Sequence, residues 1–219
     1  MSLVPTEWSV VVLGYWNRAI LTPSGIATRL FGLEPGTPVA VFIAIDAVAP
    51  HQVKHGGVTV VAGSDRLIVE PEKCSFQDLQ KAKEIADRAL EKLPETPVIA
   101  AGVNVKFSCR EPLEALQQVT RQDCWDKQLS DSEYEIVGRS HSRSLKWGEG
   151  QINFSVTEEA DGKSEILLNF HRGSTTASEL RSWLNTPIDD MESAVGKLLF
   201  ECLELDKESV EYATTTAQA

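Results

Sequence analysis

Four groups of residues in this 219-residue chain have types and spacings that could do chemistry. The first is "GRSHSRSLKW", Gly138 to Trp147, where basic and hydroxyl residues alternate. Successive side chains of a strand point to opposite faces, so Arg139, His141 and Arg143 share one side and Ser140, Ser142 and Ser144 the other. Neither side is apolar. The two runs that follow alternate more clearly. Ile152, Phe154 and Val156 oppose Asn153, Ser155 and Thr157, while Ile166, Leu168 and Phe170 oppose Leu167, Asn169 and His171. With the apolar sets turned to a core, the other sheet face presents Asn153, Ser155, Asn169 and His171, and Arg139, His141 and Arg143 are expected beside them. These seven residues form the candidate ligand-binding set. Such a face suits an anionic group, an acidic peptide or single-stranded nucleic acid, the last disfavoured by the lack of rings on which bases could stack. It also has an ordinary reading, since antiparallel sheets often leave one face in water.

The second group is "LLNFHRGSTTASEL", Leu167 to Leu180, an apolar run that passes through His-Arg-Gly into hydroxyls and a helix. A phosphate loop needs several glycines and a following lysine, so that backbone N–H groups and an ammonium surround the anion. Here only Gly173 is present. Thr176 and Glu179 instead have the spacing of a capping box, in which each side chain satisfies the other residue's backbone N–H. Arg172 leaves open an anion drawn to the helix start. The third group is "HQVKHGG", with His51 and His55 four apart. On a helix they would face one metal ion. Pro50 before them and Gly56-Gly57 after them argue for a loop between strands, so no metal site is expected. The fourth group is the cysteines at 74, 109, 124 and 202, with no C-x-x-C pair. That excludes the usual zinc clip and dithiol motif, and reads as reduced thiols of a cytoplasmic protein. No G-x-S-x-G elbow or dinucleotide fingerprint occurs, so neither a catalytic residue nor a cofactor is assigned.

The elements that must position these groups are legible in outline. Trp8 to Trp16 reads as a strand, and Thr22-Pro23 as the start of a short helix. The continuous apolar run from Thr37 to Ala49 predicts a buried strand. Two short strands follow. Ser75 then caps the clearest helix, with Leu79, Ala82, Ala86, Leu90 and Leu93 on one face and Pro94 as its stop. The segment from Pro97 alternates: Val103, Val105, Phe107 and Cys109 oppose Asn104, Lys106, Ser108 and Arg110. A weak helix and polar connector occupy 111–133. Three strands at 134–146, 151–158 and 164–171 form a meander, and two helices close the chain, the second over 187–204 with Asp189 as its cap. Clustered strands followed by helices predict an α+β fold, mainly antiparallel, with helices packed on one face. Two subdomains are expected, 1–125 and 126–206, followed by a disordered tail over 207–219.

Charge is unevenly placed. Residues 1–110 carry 11 basic and 11 acidic side chains, whereas residues 111–219 carry 10 and 21 and hold the whole net charge of −11. Such acidity argues against duplex DNA as a partner. No apolar run approaches the ~20 residues of a membrane helix, and the N-terminus lacks the pattern of a secretion signal. Neither membrane nor export is therefore expected.

The segment "EILLNFHRGSTTASELRSWLNTPIDDMESAVGKLLFECLELD" resembles the end of a sporadically distributed bacterial family of uncharacterised proteins. Trp183-Leu184 and Phe200-Glu201 match its Trp-Leu and late Phe-Glu pairs, and "AAGVNVKF", Ala100 to Phe107, stands where it carries a glycine-containing strand. Asn169-Phe170-His171 departs from the acidic residues the family tends to carry there. The resemblance implies an α+β fold and brings no catalytic residue. The chain is thus expected to be a non-enzymatic binding or interaction module, with a protein partner, self-association or an anionic small molecule on its polar face. The rival is an enzyme using His141 or His171 as acid–base group, with Arg139 or Arg143 holding an anionic substrate.

Overall fold

A computed structural model describes residues 2–43 and 50–210 of the chain. Its strands are β1 (Val4–Pro5), β2 (Ser9–Gly14), β3 (Ala40–Phe42), β4 (Gln52–His55), β5 (Val58–Ala62), β6 (Arg66–Pro71), β7 (Val98–Cys109), β8 (Gly138–Trp147), β9 (Gly150–Glu159) and β10 (Ser164–Gly173). Its α-helices are α1 (Pro23–Arg29), α2 (Phe76–Lys92), α3 (Glu114–Thr120), α4 (Asp123–Asp131), α5 (Ala177–Leu184) and α6 (Ile188–Gly196). All the strands join one sheet in the order β3-β4-β5-β6-β2-β7-β10-β9-β8, with β1 added to one end of β7. Every pairing within it is antiparallel. The fold is α+β, as the strand and helix pattern predicts.

The register explains where the core sits. Val41, Val53, Val60, Val69, Val10, Val103, Phe170, Ile152 and Leu145 are successive cross-strand partners. They make an apolar row that runs across nine strands, and the seven between Val53 and Ile152 are buried. Each buried side chain of this size contributes about 1.5–3 kcal/mol relative to exposure. The helices lie against this face. Helix α2 sets Phe76, Leu79, Ala82, Ala86 and Leu90 into the core. Its Ser75 hydroxyl accepts from the Asp78 N–H at 3.1 Å and donates to the Asp78 carboxylate at 2.8 Å. Helix α5 is tied to α2 by Arg181, whose guanidinium donates twice to Asp87 at 2.9 and 3.2 Å.

One charge is trapped on this side. Lys83 of α2 is only 1% exposed, and its ammonium donates to the Thr186 carbonyl at 2.6 Å. Burial pulls its pKa down to about 8, against a partial pull upward from Asp190 and Glu84.

Several expectations change. The apolar run after Thr37 does not make a buried strand: β3 is an outer strand with Ala40, Val41 and Phe42 all exposed. A run apolar on every residue reads as buried on both faces, but among the described residues β3 pairs with β4 alone, and its side chains are exposed. Residues 44–49 of that run lie outside the described residues. "HQVKHGG" is not a loop, since Gln52–His55 pairs with β5 across the Gly56-Gly57 turn. His51 meets the Leu21 carbonyl at 3.0 Å, and the His55 ring packs against Phe31. Thr176 makes no side-chain cap for α5. α5 has no side-chain cap; just before it the Ser174 hydroxyl accepts from the Thr176 N–H at 3.0 Å and donates to Glu179 at 2.8 Å. Asp189 likewise makes no cap for α6, whose last turn widens over Lys197–Cys202. The position of the expected boundary, residue 125, falls inside α4, and most of the expected tail lies outside the described residues.

Candidate functional site

The sheet face opposite the helices is open, and its C-terminal half is polar. Ser144, Asn153, Asn169, Asn104 and Ser9 are cross-strand partners on β8, β9, β10, β7 and β2. Side chains directly opposed in antiparallel strands point the same way, so all five emerge on this face. They are also bonded in sequence. The Ser144 hydroxyl donates to Asn153 Oδ1 at 2.9 Å, Asn153 Nδ2 to Asn169 Oδ1 at 3.0 Å, Asn169 Nδ2 to Asn104 Oδ1 at 2.7 Å, and Asn104 Nδ2 to Ser9 Oγ at 3.1 Å. Gln151 Nε2 adds a second donor to Asn153 Oδ1 at 2.8 Å. Four steps of ~4.8 Å between strands give the row a span of ~19 Å. Every amide has a partner before any ligand arrives, so the row is held in one arrangement.

Two adjoining hollows lie along the row, of about 410 and 380 Å³, sharing Asn104, Ser155 and Leu167 in their floors. At one end Lys106 stands between two carboxylates, with Nζ 3.2 Å from Glu7 and 3.3 Å from Glu165. Partial burial opposes the ammonium, but the two carboxylates outweigh it and hold the Lys106 pKa above its ordinary value. Burial works against the Glu165 carboxylate too, and Lys106 and Lys163 together keep its pKa low. The charges at this end are therefore mutually spent. Gly102 flanks the row. A Cβ there would stand 3.1 Å from Asn169 Nδ2, so a side chain would press on the central amide.

The predicted residues divide. Asn153, Ser155, Asn169 and His171 come together on the open face, His171 opposite Gln151 and Gly102. Arg139, His141 and Arg143 do not join them. They oppose Glu158, Val156 and Phe154, the buried side of β9, so they lie on the helix-covered side of the sheet. Arg139 is taken up by Asp126 of α4 at 2.9 Å. Arg143 turns back to the Ser142 carbonyl at 2.8 Å, at the rim of the larger hollow. The serines of β8, not its basic residues, complete the polar face. The signal was available: Leu145 and Trp147 share the parity of Arg143, and two apolar residues at the end of a strand fix which side is inward. Asn104 and Ser9 were missed because strand order, not alternation, brings β7 and β2 beside the meander.

Of the enzymatic pairings, His171 emerges on the face opposite Arg139 and Arg143, whereas His141 shares the face of both arginines. A separate cleft of about 580 Å³ lies between the β8–β9 turn and α5–α6, with Trp147, Trp183, Asp190 and Lys197 in its walls. None of the seven predicted residues lines it. No group of three or more His, Cys, Asp or Glu among the described residues is placed to hold a metal ion. No helix among them is long and apolar enough to cross a membrane. Comparison with protein-family models and with curated proteins finds no match to this chain.

Proposed function

We propose that the protein is a non-enzymatic binding module that holds an extended polypeptide segment of a partner in the trough on its open sheet face. The observation that carries this reading is the hydrogen-bonded row Ser144–Asn153–Asn169–Asn104–Ser9 along the trough floor. Each Asn of the row spends one of its two Nδ2 N–H donors within it, which leaves the second for the C=O groups of a peptide. Preorganisation lowers the ordering cost of binding, so a polar face of this kind can hold a ligand that a mobile one could not. The loss of the basic residues to the other face moves the expected ligand from anionic toward neutral, with Arg143 at the rim and Lys106 already held by Glu7 and Glu165.

A cytoplasmic, bacterial setting belongs to the same proposal. It is supported by four free cysteines and by the C-terminal resemblance. The net charge of −11 on residues 111–219 supports protein rather than duplex DNA as partner.

The test compares partners retained from native lysate by the wild type, by Asn169→Arg, which fills the trough, and by Gln80→Arg on the exposed side of α2. Mass spectrometry should find a stoichiometric protein held by the wild type and Gln80→Arg and lost from Asn169→Arg. An unchanged partner set, with all three chains folded by circular dichroism, would overturn the reading.

A further inference from the structure

The two outer strands of the sheet are built differently. β8 carries Arg139, Arg143 and Lys146 within ten residues, and α4 reaches it through the Arg139–Asp126 ion pair. Charges and a covering element are the usual means of keeping an outer strand from pairing with another chain. Among the described residues β3 has neither safeguard. No charged residue occurs between Thr37 and Ile43, while Val41 is 37% exposed, Phe42 56% and Ile43 73%. Among the described residues its one neighbour is β4, which leaves an outer row of backbone N–H and C=O groups facing away from the sheet.

We propose that β3 pairs antiparallel with the β3 of a second copy of this chain, joining the two sheets about a two-fold axis. Three features select a second copy. First, the segment is self-complementary. With Val41 opposite Val41 of the second copy, Ala40 faces Phe42 and Val39 faces Ile43, so Phe42 and Ile43 each meet a smaller side chain and every pair is apolar. Second, the apolar row that crosses nine strands ends at Val41, and this register continues it directly into the row of the second copy. Third, the charge is at the far end. β3 belongs to the half with no net charge, and β8 to the half with −11, so copies joined at β3 keep their acidic halves apart. Pairing of like surfaces about a two-fold also closes the assembly at two chains, whereas β3 against β8 would build an open filament.

A three-residue strand gives a small interface, so a weak dimer that forms only at high concentration is expected. Sedimentation velocity from about 5 to 500 µM should show the wild type rising from the 24.1 kDa chain mass toward twice that value. Val41→Lys should stay monomeric over the same range, a weakening of about tenfold or more. Ser142→Lys, on the opposite outer strand, should behave as the wild type. Phe42→Glu serves as a second variant should Val41→Lys fail to fold. A wild type that is monomeric throughout, or a dimer that survives the β3 substitutions, would overturn the proposal, as would one lost in Ser142→Lys alone. The inference does not depend on the trough: Asn169→Arg is expected to dimerise normally, so each idea can fail separately.

Discussion

The covered and open faces of this sheet are written on the same strands, one residue apart. On β10, Phe170 lies at 0% exposure in the core, and its neighbour Asn169 lies in the amide row. On β7, Val103 and Asn104 divide in the same way. The covered face gains its energy from area removed from water, which every residue of the row supplies in proportion to its size. The open face gains little, because its hydrogen bonds replace bonds to water. Its amides can therefore be altered at small cost to the fold, and the two faces separate stability from the proposed recognition by a single step along the chain.

That separation is open to attack from both sides. The largest effect is expected from Phe170→Ala, which should lower stability by about 3–5 kcal/mol in urea unfolding, since a buried ring leaves a cavity the sheet cannot close. A loss below about 1 kcal/mol would mean that the nine-strand row is not the centre of the core. Next is Lys83, the charge held on the covered side. Below about 8 both folded and unfolded chains hold its proton, so the cost of burying the charge is fully present at neutral pH. As pH rises from about 8 toward 10.5, the folded chain releases the proton while the unfolded chain keeps it, and stability increases. Over that window the wild type should gain about 2–3 kcal/mol relative to Lys83→Met, measured by urea unfolding at several pH values. Parallel curves for the two proteins would show that Lys83 is not burdened by burial. The smallest effect is expected from Asn169→Ala, about 1 kcal/mol, since its neighbours can turn to water. A loss on the scale of Phe170→Ala would erase the distinction between the faces.

Alternation made most of the polar face legible. Asn153, Ser155, Asn169 and His171 were placed by the period of two alone. β8 resisted because neither Arg139-His141-Arg143 nor Ser140-Ser142-Ser144 is apolar, and only the later Leu145 and Trp147 settle its facing. β3 was misread for the opposite reason. Its uniform apolarity says that water should be excluded, but not whether another strand of the same chain excludes it. The row itself was beyond local pattern. Asn104 and Asn169 are separated by 65 positions, and only the pairing of β7 with β10 makes them partners. The start of α5 shows the limit at short range: Thr176 and Glu179 have capping-box spacing, yet Ser174 takes up both the Thr176 N–H and the Glu179 carboxylate.

The place of β7 has a consequence for how the chain assembles. β7 is hydrogen-bonded to β2 on one side and to β10 on the other. β8, β9 and β10 follow one another through short turns and can form as a unit from contacts close in sequence. Their docking on β7 must instead close a loop of ~50 residues, with an entropic cost met only when the whole edge zips. Non-local pairings of this sort slow folding far more than they affect stability. The amide row crosses that seam at Asn104 and Asn169, and the still more non-local β2–β7 seam at Ser9 and Asn104, so it is complete only after both long-range pairings have formed.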